Sequence, residues 1–263
     1  MEERSAGFVY QLLISHFMFS LNHFIWLGIC ILVIVALLII NKKFNLSFDT
    51  NVTILFITAI LSETIKISNG MTVEITKEVD GVMQTFTYLD QTKLPFHLCS
   101  IQIFFILILK FVIKNESTKE KLLAFMCPTM LLGGILAIFI PTEGVEFNRI
   151  VLYEYFLFHA IIIYFAIYLL VTKKIKITWS TYIRNCACLI ILSVCAIWIN
   201  SILQDGAVNF FFVSRPPMDN LPLLNLNHGW GVYYLTLLGV GVFLMSLFHL
   251  PFILTKKKTL PSV

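Results

Sequence analysis

Seven stretches of this chain are continuously apolar, and runs of that length leave the backbone few options. They cover approximately Phe24–Ile40, Val52–Ile67, Pro95–Ile113, Leu122–Ile140, Val151–Val171, Ile183–Leu203 and Gly231–Leu254. Most reach the ~17–25 residues a helix needs to cross a hydrocarbon core. In lipid every backbone N–H and C=O must be satisfied within the protein, which an isolated segment achieves only as a helix. Strands of a membrane barrel alternate apolar and polar residues, and these runs do not. Hydrophobic residues make up 58% of the chain and charged residues 13%, and mean hydropathy is +0.87. Soluble domains carry about 25% charged residues, so a soluble globular fold and a disordered chain are both excluded. The fold class expected is all-α, a polytopic membrane helix bundle of about seven transmembrane helices.

Charge placement sets the expected orientation. Lys42, Lys43, Lys110, Lys114, Lys119, Lys121, Lys173, Lys174, Lys176, Arg184 and Lys256–Lys258 fall at alternate ends of the spans, thirteen in all. The opposite ends carry five, Arg4, Lys77, Lys93, Arg149 and Arg215, while Lys66 lies within a span. The positive-inside rule then puts the N-terminus outside and the C-terminus inside. The second span, with Glu63 and Lys66, is the weakest by composition, but omitting it would break the alternation. No signal peptide, internal repeat or low-complexity linker is read, so residues 1–263 are expected to form one integral membrane domain.

The second loop is long and lies on the outer side. Thr- and Val-rich runs flank Asp80-Gly81, a turn dipeptide that favours positive φ, so an outer β-hairpin is expected at about 71–89. It could serve as a spacer or as a lid over an outward-facing site.

Polar residues inside spans are costly, which makes their depth informative. Asn22 and His23 open the first helix, and Glu63 and Lys66 close the second. His97, Cys99 and Gln102 begin the third, and Tyr153, Glu154, Tyr155 and His159 the fifth. Asn200 and Gln204 end the sixth, Asn209 and Arg215 follow in the loop, and Trp230, Tyr233 and Tyr234 open the seventh. All lie toward the outer face, whereas the inner helix halves read as almost purely apolar. A site open to the outer leaflet is expected.

Each residue also has a plainer reading. Trp230 suits an interfacial belt. Glu63 and Lys66, three residues apart, can form a neutralising pair that is structural or shapes a site. Cys30, Cys127, Cys186, Cys188 and Cys195 read as small core hydrophobes, and the cysteines show neither a disulfide framework nor zinc-ligand spacing. His16 and His249 read as solvated near the interfaces. Pro128 with Gly133 and Gly134 signals a kink or close helix packing. Cys99 lies near the start of the third helix, and His159 roughly 12 Å deep in the fifth at ~1.5 Å per residue. A thiol and an imidazole at similar depth can form a nucleophile and its base. The residues alone leave open a His159 bonded to a backbone carbonyl instead.

Leu94-Pro95-Phe96-His97-Leu98-Cys99 resembles the L-P-(apolar)-H-L-C signature of YwaF-like bacterial integral membrane proteins. Other pieces resemble the same family in order: Asn22-His23, Glu63-x-x-Lys66, and Asn209 through Arg215-Pro216 followed by Gly229-Trp230 and Tyr233-Tyr234. Arg215 stands where the family usually has Lys, and Gly231 and Val232 replace a more aromatic, Pro-rich turn. That family is similar to transmembrane protein 164, a eukaryotic phospholipid acyltransferase with a cysteine acyl carrier. More distantly it resembles the androgen-induced and androgen-dependent integral membrane hydrolases, which use an intramembrane histidine.

The resemblance implies a lipid acyltransferase or hydrolase with Cys99 as nucleophile and His159 as base. His97, His23, Glu63, Lys66, Gln102, Asn209 and Arg215 would be supporting or substrate-binding groups. The implied partners are a phospholipid or lysophospholipid substrate and membrane lipids, in a multi-pass protein of the cell membrane. No cofactor, metal, nucleic acid or protein partner is read. A transporter or small-molecule binding protein with an outward polar vestibule is the alternative, and a structural subunit a third possibility.

Overall fold

The computed structural model describes residues 19–69, 72–79, 82–141, 144–203, 208–217, 221 and 223–257. Helix α1 runs Leu21–Phe44, and α2 Phe48–Ser68. The strands β1 (Thr72–Val79) and β2 (Val82–Leu89) follow. Helix α3 covers Gln102–Leu107 and passes into a π-helical turn at Ile108–Val112. Then come α4 (Glu116–Phe139), α5 (Ile150–Val171), α6 (Trp179–Ile202) and α7 (Trp230–Lys257).

The helix starts are legible in the chain. Ser20, Ser47, Asn115 and Thr178 each accept a backbone N–H from three residues ahead, satisfying one of the orphan donors of a first turn. Helix α1 ends at Asn45, whose left-handed backbone (φ 47°) caps its last turn.

Among the described residues six helices are long and apolar enough to cross a membrane. The protein is a multi-pass membrane protein of helical architecture. The exception is the third segment, expected as a regular helix over Pro95–Ile113. Its first part is not helical: a 3-10 turn at Gln91–Lys93 leads into turns through Ile101, and regular helix begins only at Gln102. Pro95 disfavours α geometry at Leu94 and supplies no N–H of its own. The segment nevertheless traverses the same depth as α2. At its far end the Lys110 ammonium donates to Thr53 Oγ1 at 2.8 Å and lies 3.8 Å from Asp49, in the first turns of α2. At its near end Cys99 lies within electrostatic reach of Lys66, in the last turn of α2.

The hairpin is present where expected. β1 and β2 pair antiparallel from Thr72 opposite Leu89 to Val79 opposite Val82. The Asp80-Gly81 turn itself lies outside the described residues, as do His16 and Gln204. The hairpin joins α2 to the third segment and marks one end of the bundle, called here the hairpin end. The lysine-rich loops after α1, α3 and α5 mark the other, basic end.

Helix α5 is central, packing against α1, α2 and α4, and most of its residues are buried. Trp26 of α1 stacks on Phe156 of α5 at 4.6 Å and donates its indole N–H to the Val145 carbonyl. Helices α1, α6 and α7 turn apolar side chains such as Leu32, Ile191 and Leu235 outward. Outside the protein lipid is as apolar as the core, so association rests on close packing and internal hydrogen bonds rather than on expulsion of water.

The half toward the basic end is less apolar than the sequence suggests. His249, read as solvated, is fully buried; its Nε2 accepts from Asn185, whose amide also donates to the Ala124 carbonyl. Asn51 accepts from Tyr164 across α2 and α5. Such residues look like interface polar groups in a one-dimensional reading, because only tertiary packing shows that another helix covers them. Cys195 also departs from its reading as a core residue: it is exposed on the α6 surface, while Cys30 and Cys127 are buried.

Candidate functional site

Two consecutive glycines organise the hairpin end. Gly133 and Gly134 sit in the last two turns of α4, and each lets a different neighbour approach. A Cβ on Gly133 would lie 3.8 Å from the Cys99 backbone nitrogen. A Cβ on Gly134 would lie 2.6 Å from Ile163 Cγ1 and 3.3 Å from the His159 carbonyl oxygen. Cys99 and His159 therefore lie at the same level, on either side of one turn of α4. The close-packing reading of the glycine pair holds.

Below Cys99, Gln102 is fully buried and anchors the start of α3. Its Nε2 donates to the Leu98 carbonyl at 3.1 Å and to Thr129 Oγ1 of α4 at 3.0 Å. The Leu98 carbonyl can only accept, so the amide nitrogen must face it. Gln102 thus fixes the turn that carries Cys99. Cys99 is half-buried as a residue, and its thiol lies 3.9 Å from Ser100 Oγ.

His159 is 4% exposed. Its Nδ1 lies 2.6 Å from the Tyr155 carbonyl oxygen, which accepts. The Nδ1 proton is therefore committed, and in the neutral ring Nε2 carries the lone pair. Nε2 is buried and has no hydrogen-bond partner among the described residues. The backbone-carbonyl bond of His159 is therefore present through Nδ1, while Nε2 makes no hydrogen bond among the described residues. The thiol–imidazole hydrogen bond itself is not formed.

Helix α2 adds charge at this level. Lys66 forms an ion pair with Glu63, both side chains largely buried. Lys66 also lies within electrostatic reach of Cys99, His159 and Glu154. Glu154, one turn into α5, accepts from the Ser62 hydroxyl of α2. Ser62 and Thr129 were not singled out from the sequence, and Glu154 was placed only at a helix end. An ionisable residue within a span is itself a signal of a site, but its partner is visible only once α2 and α5 are packed together. Among the described residues no three His, Cys, Asp or Glu side chains converge as a metal-ligand set.

The remaining residues lie elsewhere. His23 braces α1: its Nδ1 accepts from the Phe19 N–H, and Nε2 donates to the Ile138 carbonyl at 2.9 Å. It stands at the end of α4, bonded to backbone on both sides. His97 packs edge-on against Phe210 at 5.0 Å and lies 5.7 Å from Phe212. Asn209 folds the loop that holds these rings. Its Oδ1 accepts the N–H groups of Ser214 and Arg215, and its Nδ2 donates to the Arg215 carbonyl at 2.8 Å. Both halves of the amide are used, so Asn209 shapes the loop rather than presenting a donor to a ligand. Arg215 itself is exposed at the hairpin end.

That loop is strained and pinned. Phe211 and Phe212 have φ of 56° and 55°, a region costly for bulky residues unless their surroundings enforce it. Enforcement comes from Asn200, which bonds Phe210 on both its N–H and carbonyl, from Trp230 Nε1 on the Val213 carbonyl at 2.9 Å, and from the Tyr233 hydroxyl on the Phe212 carbonyl. Trp230 remains half exposed and stacked on Tyr234, as a belt residue would be, yet also pins the loop. The loop packs on Phe96 and His97, just ahead of Cys99 in the chain.

The family model describing the TMEM164 family matches residues 18–249, nearly the whole span from α1 into α7. No curated protein and no solved structure matches the chain. The chain belongs to the TMEM164 family.

Proposed function

From membership of this family, we propose that the protein is a membrane-embedded lipid acyltransferase or hydrolase acting on phospholipid esters at the outer leaflet of the cell membrane. The hairpin end faces outward in this reading, as the basic residues of the opposite end favour. Cys99 attacks the ester carbonyl and carries the acyl group as a thioester. His159 Nε2 takes the thiol proton and returns it to the leaving alcohol. Lys66 or Arg215 meets the phosphate.

The observation that supports this reading best is His159 Nε2, a buried acceptor with no partner among the described residues, at the level of Cys99. Leaving a buried acceptor unmade costs about 1–3 kcal/mol, which a waiting catalytic base would explain. The thiol and the imidazole have to draw together when substrate binds, as apo catalytic contacts often do.

The test is acyl-thioester trapping on purified protein with a phosphatidylcholine donor in detergent micelles. Hydroxylamine-sensitive acyl label on Cys99, absent from Cys99→Ala, is expected. Label on no cysteine, or label unchanged in Cys99→Ala, overturns the reading.

A second reading, an outward-facing transporter or small-molecule binding protein, draws on the buried polar groups of the inner half. Asn185 Oδ1 is buried there without a hydrogen-bond partner among the described residues. Uptake of a solute that survives Cys99→Ala would favour it.

A further inference from the structure

We propose that Tyr155 is a positioning residue for His159: it holds the imidazole against α4, the helix on which the Cys99 turn also rests. This rests on the Cys99–His159 reading above.

Tyr155 and His159 stand four residues apart on α5, so their side chains meet on one face of the helix. The Tyr155 carbonyl accepts from His159 Nδ1 at 2.6 Å, and the two rings lie tilted together with centroids 4.5 Å apart. The phenol hydroxyl reaches to the neighbouring helix and donates to the Ala137 carbonyl of α4 at 2.8 Å. The sequence leaves that carbonyl open, because its helical donor would be the N–H of residue 141, and residue 141 is a proline. One side chain thus touches the imidazole with its ring and α4 with its hydroxyl.

Helix α4 is the common reference of the site. Ala137 stands one turn beyond Gly133, where a Cβ would lie 3.8 Å from the Cys99 nitrogen, and a Cβ on Gly134 would lie 3.3 Å from the His159 carbonyl oxygen. The two glycines set the backbones of Cys99 and His159, but they leave the imidazole to turn about its own side-chain bonds. The Nδ1 bond fixes one edge of that ring, and the Tyr155 ring closes against it. The chemistry needs Nε2 in a defined place. The Cys99 S–H proton passes to Nε2, the sulfur bonds to the ester carbonyl carbon, the ester C–O bond breaks, and the leaving alkoxide takes the proton back. A base displaced by about 1 Å slows such a step about a hundredfold.

The Tyr155 hydroxyl also caps the end of α4, and His23 supplies a matched comparison. It donates to the next carbonyl of the same helix end, that of Ile138, at 2.9 Å. Loss of a cap lowers stability. Loss of positioning lowers the limiting rate at which Cys99 is acylated and leaves the half-saturating donor concentration unchanged.

The experiment follows thioester formation on Cys99 in the full-length protein, in detergent micelles containing acyl-labelled phosphatidylcholine at increasing mole fraction, with Tm measured in parallel. Buried Cys30 and Cys127 report folding by resisting iodoacetamide until denaturant is added. Tyr155→Phe keeps the ring and loses the bond to Ala137, and is expected to lower the limiting rate about fivefold, as loss of one hydrogen bond supports. Tyr155→Leu loses the ring as well and is expected to lower it about a hundredfold. Whichever variant passes the folding check carries the test. Limiting rates within about twofold of native, with His159→Gln inactive, overturn the role of Tyr155 and leave the dyad standing. A fall that His23→Ala matches at equal loss of Tm overturns it too, because capping then accounts for the effect. A raised half-saturating concentration at an unchanged limiting rate makes Tyr155 a substrate contact and overturns positioning. A native rate in His159→Gln, or no label on Cys99 of the native chain, overturns both the dyad and the role of Tyr155.

Discussion

Gly134 of α4 and the His159 carbonyl of α5 are so close that a Cβ on the glycine would stand 3.3 Å from that oxygen and 2.6 Å from Ile163 Cγ1. The neighbouring Gly133 would place a Cβ at an ordinary 3.8 Å from Cys99. The two glycines therefore make opposite predictions. Gly134→Ala must push α5 and its histidine away, at about 1–3 kcal/mol for overpacking, and should lower both thermal stability in detergent and thioester formation. Gly133→Ala should leave stability within about 0.5 kcal/mol. Equal effects of the two would contradict the packing described.

Cys99→Ala should abolish thioester labelling with little loss of stability, because the thiol makes no close hydrogen bond. His159→Ala should also abolish it, and should in addition destabilise the protein by about 0.5–1.5 kcal/mol, because a buried side-chain hydrogen bond to the Tyr155 carbonyl is lost. Thermal unfolding of the two variants separates the roles.

His23→Ala should cost stability by a similar amount, since it strands the Ile138 carbonyl and the Phe19 N–H. Cys99 alkylation should keep the native pH profile in this variant. A changed profile would move His23 from a brace into the site.

Asn209→Ala removes one donor and a doubly used acceptor from the 209–215 loop. The positive φ at Phe211 and Phe212 then loses part of what enforces it. Faster proteolysis within this loop is expected, with faster alkylation of Cys99 as the Phe96–His97 segment ahead of it loses its packing. Unchanged rates of both would show that Asn200, Trp230 and Tyr233 hold the loop alone.

Reporter fusions after Lys43 and Lys176 should both read cytoplasmic, and a fusion within the hairpin external. An external reading at either lysine would turn the cluster toward the inner leaflet and remove the outward-facing part of the proposal.

Class, span positions and hairpin were readable from the residues because they depend on local quantities. Uninterrupted apolar runs must be helices in lipid, Ser, Asn and Thr caps close the first turns, and an Asp-Gly between Thr- and Val-rich runs must turn. Depth was readable too, since rise per residue is constant, and it placed Cys99 and His159 at one level. The broken start of the third segment, the burial of His249 and the exposure of Cys195 were not readable, because each depends on which helix lies alongside. So did the partners of the polar residues. Glu154 meets Ser62 across 92 positions of chain, and His23 meets Ile138 across 115. A hydrogen bond over such a separation is set by the packing of whole helices, with glycine pairs and side-chain volumes choosing the contact, and no local pattern encodes it. What the residues determined was which groups stand in the membrane and how deep; the tertiary structure decided which of them face one another, because lipid drives helices into the bilayer but is indifferent to how they then pack.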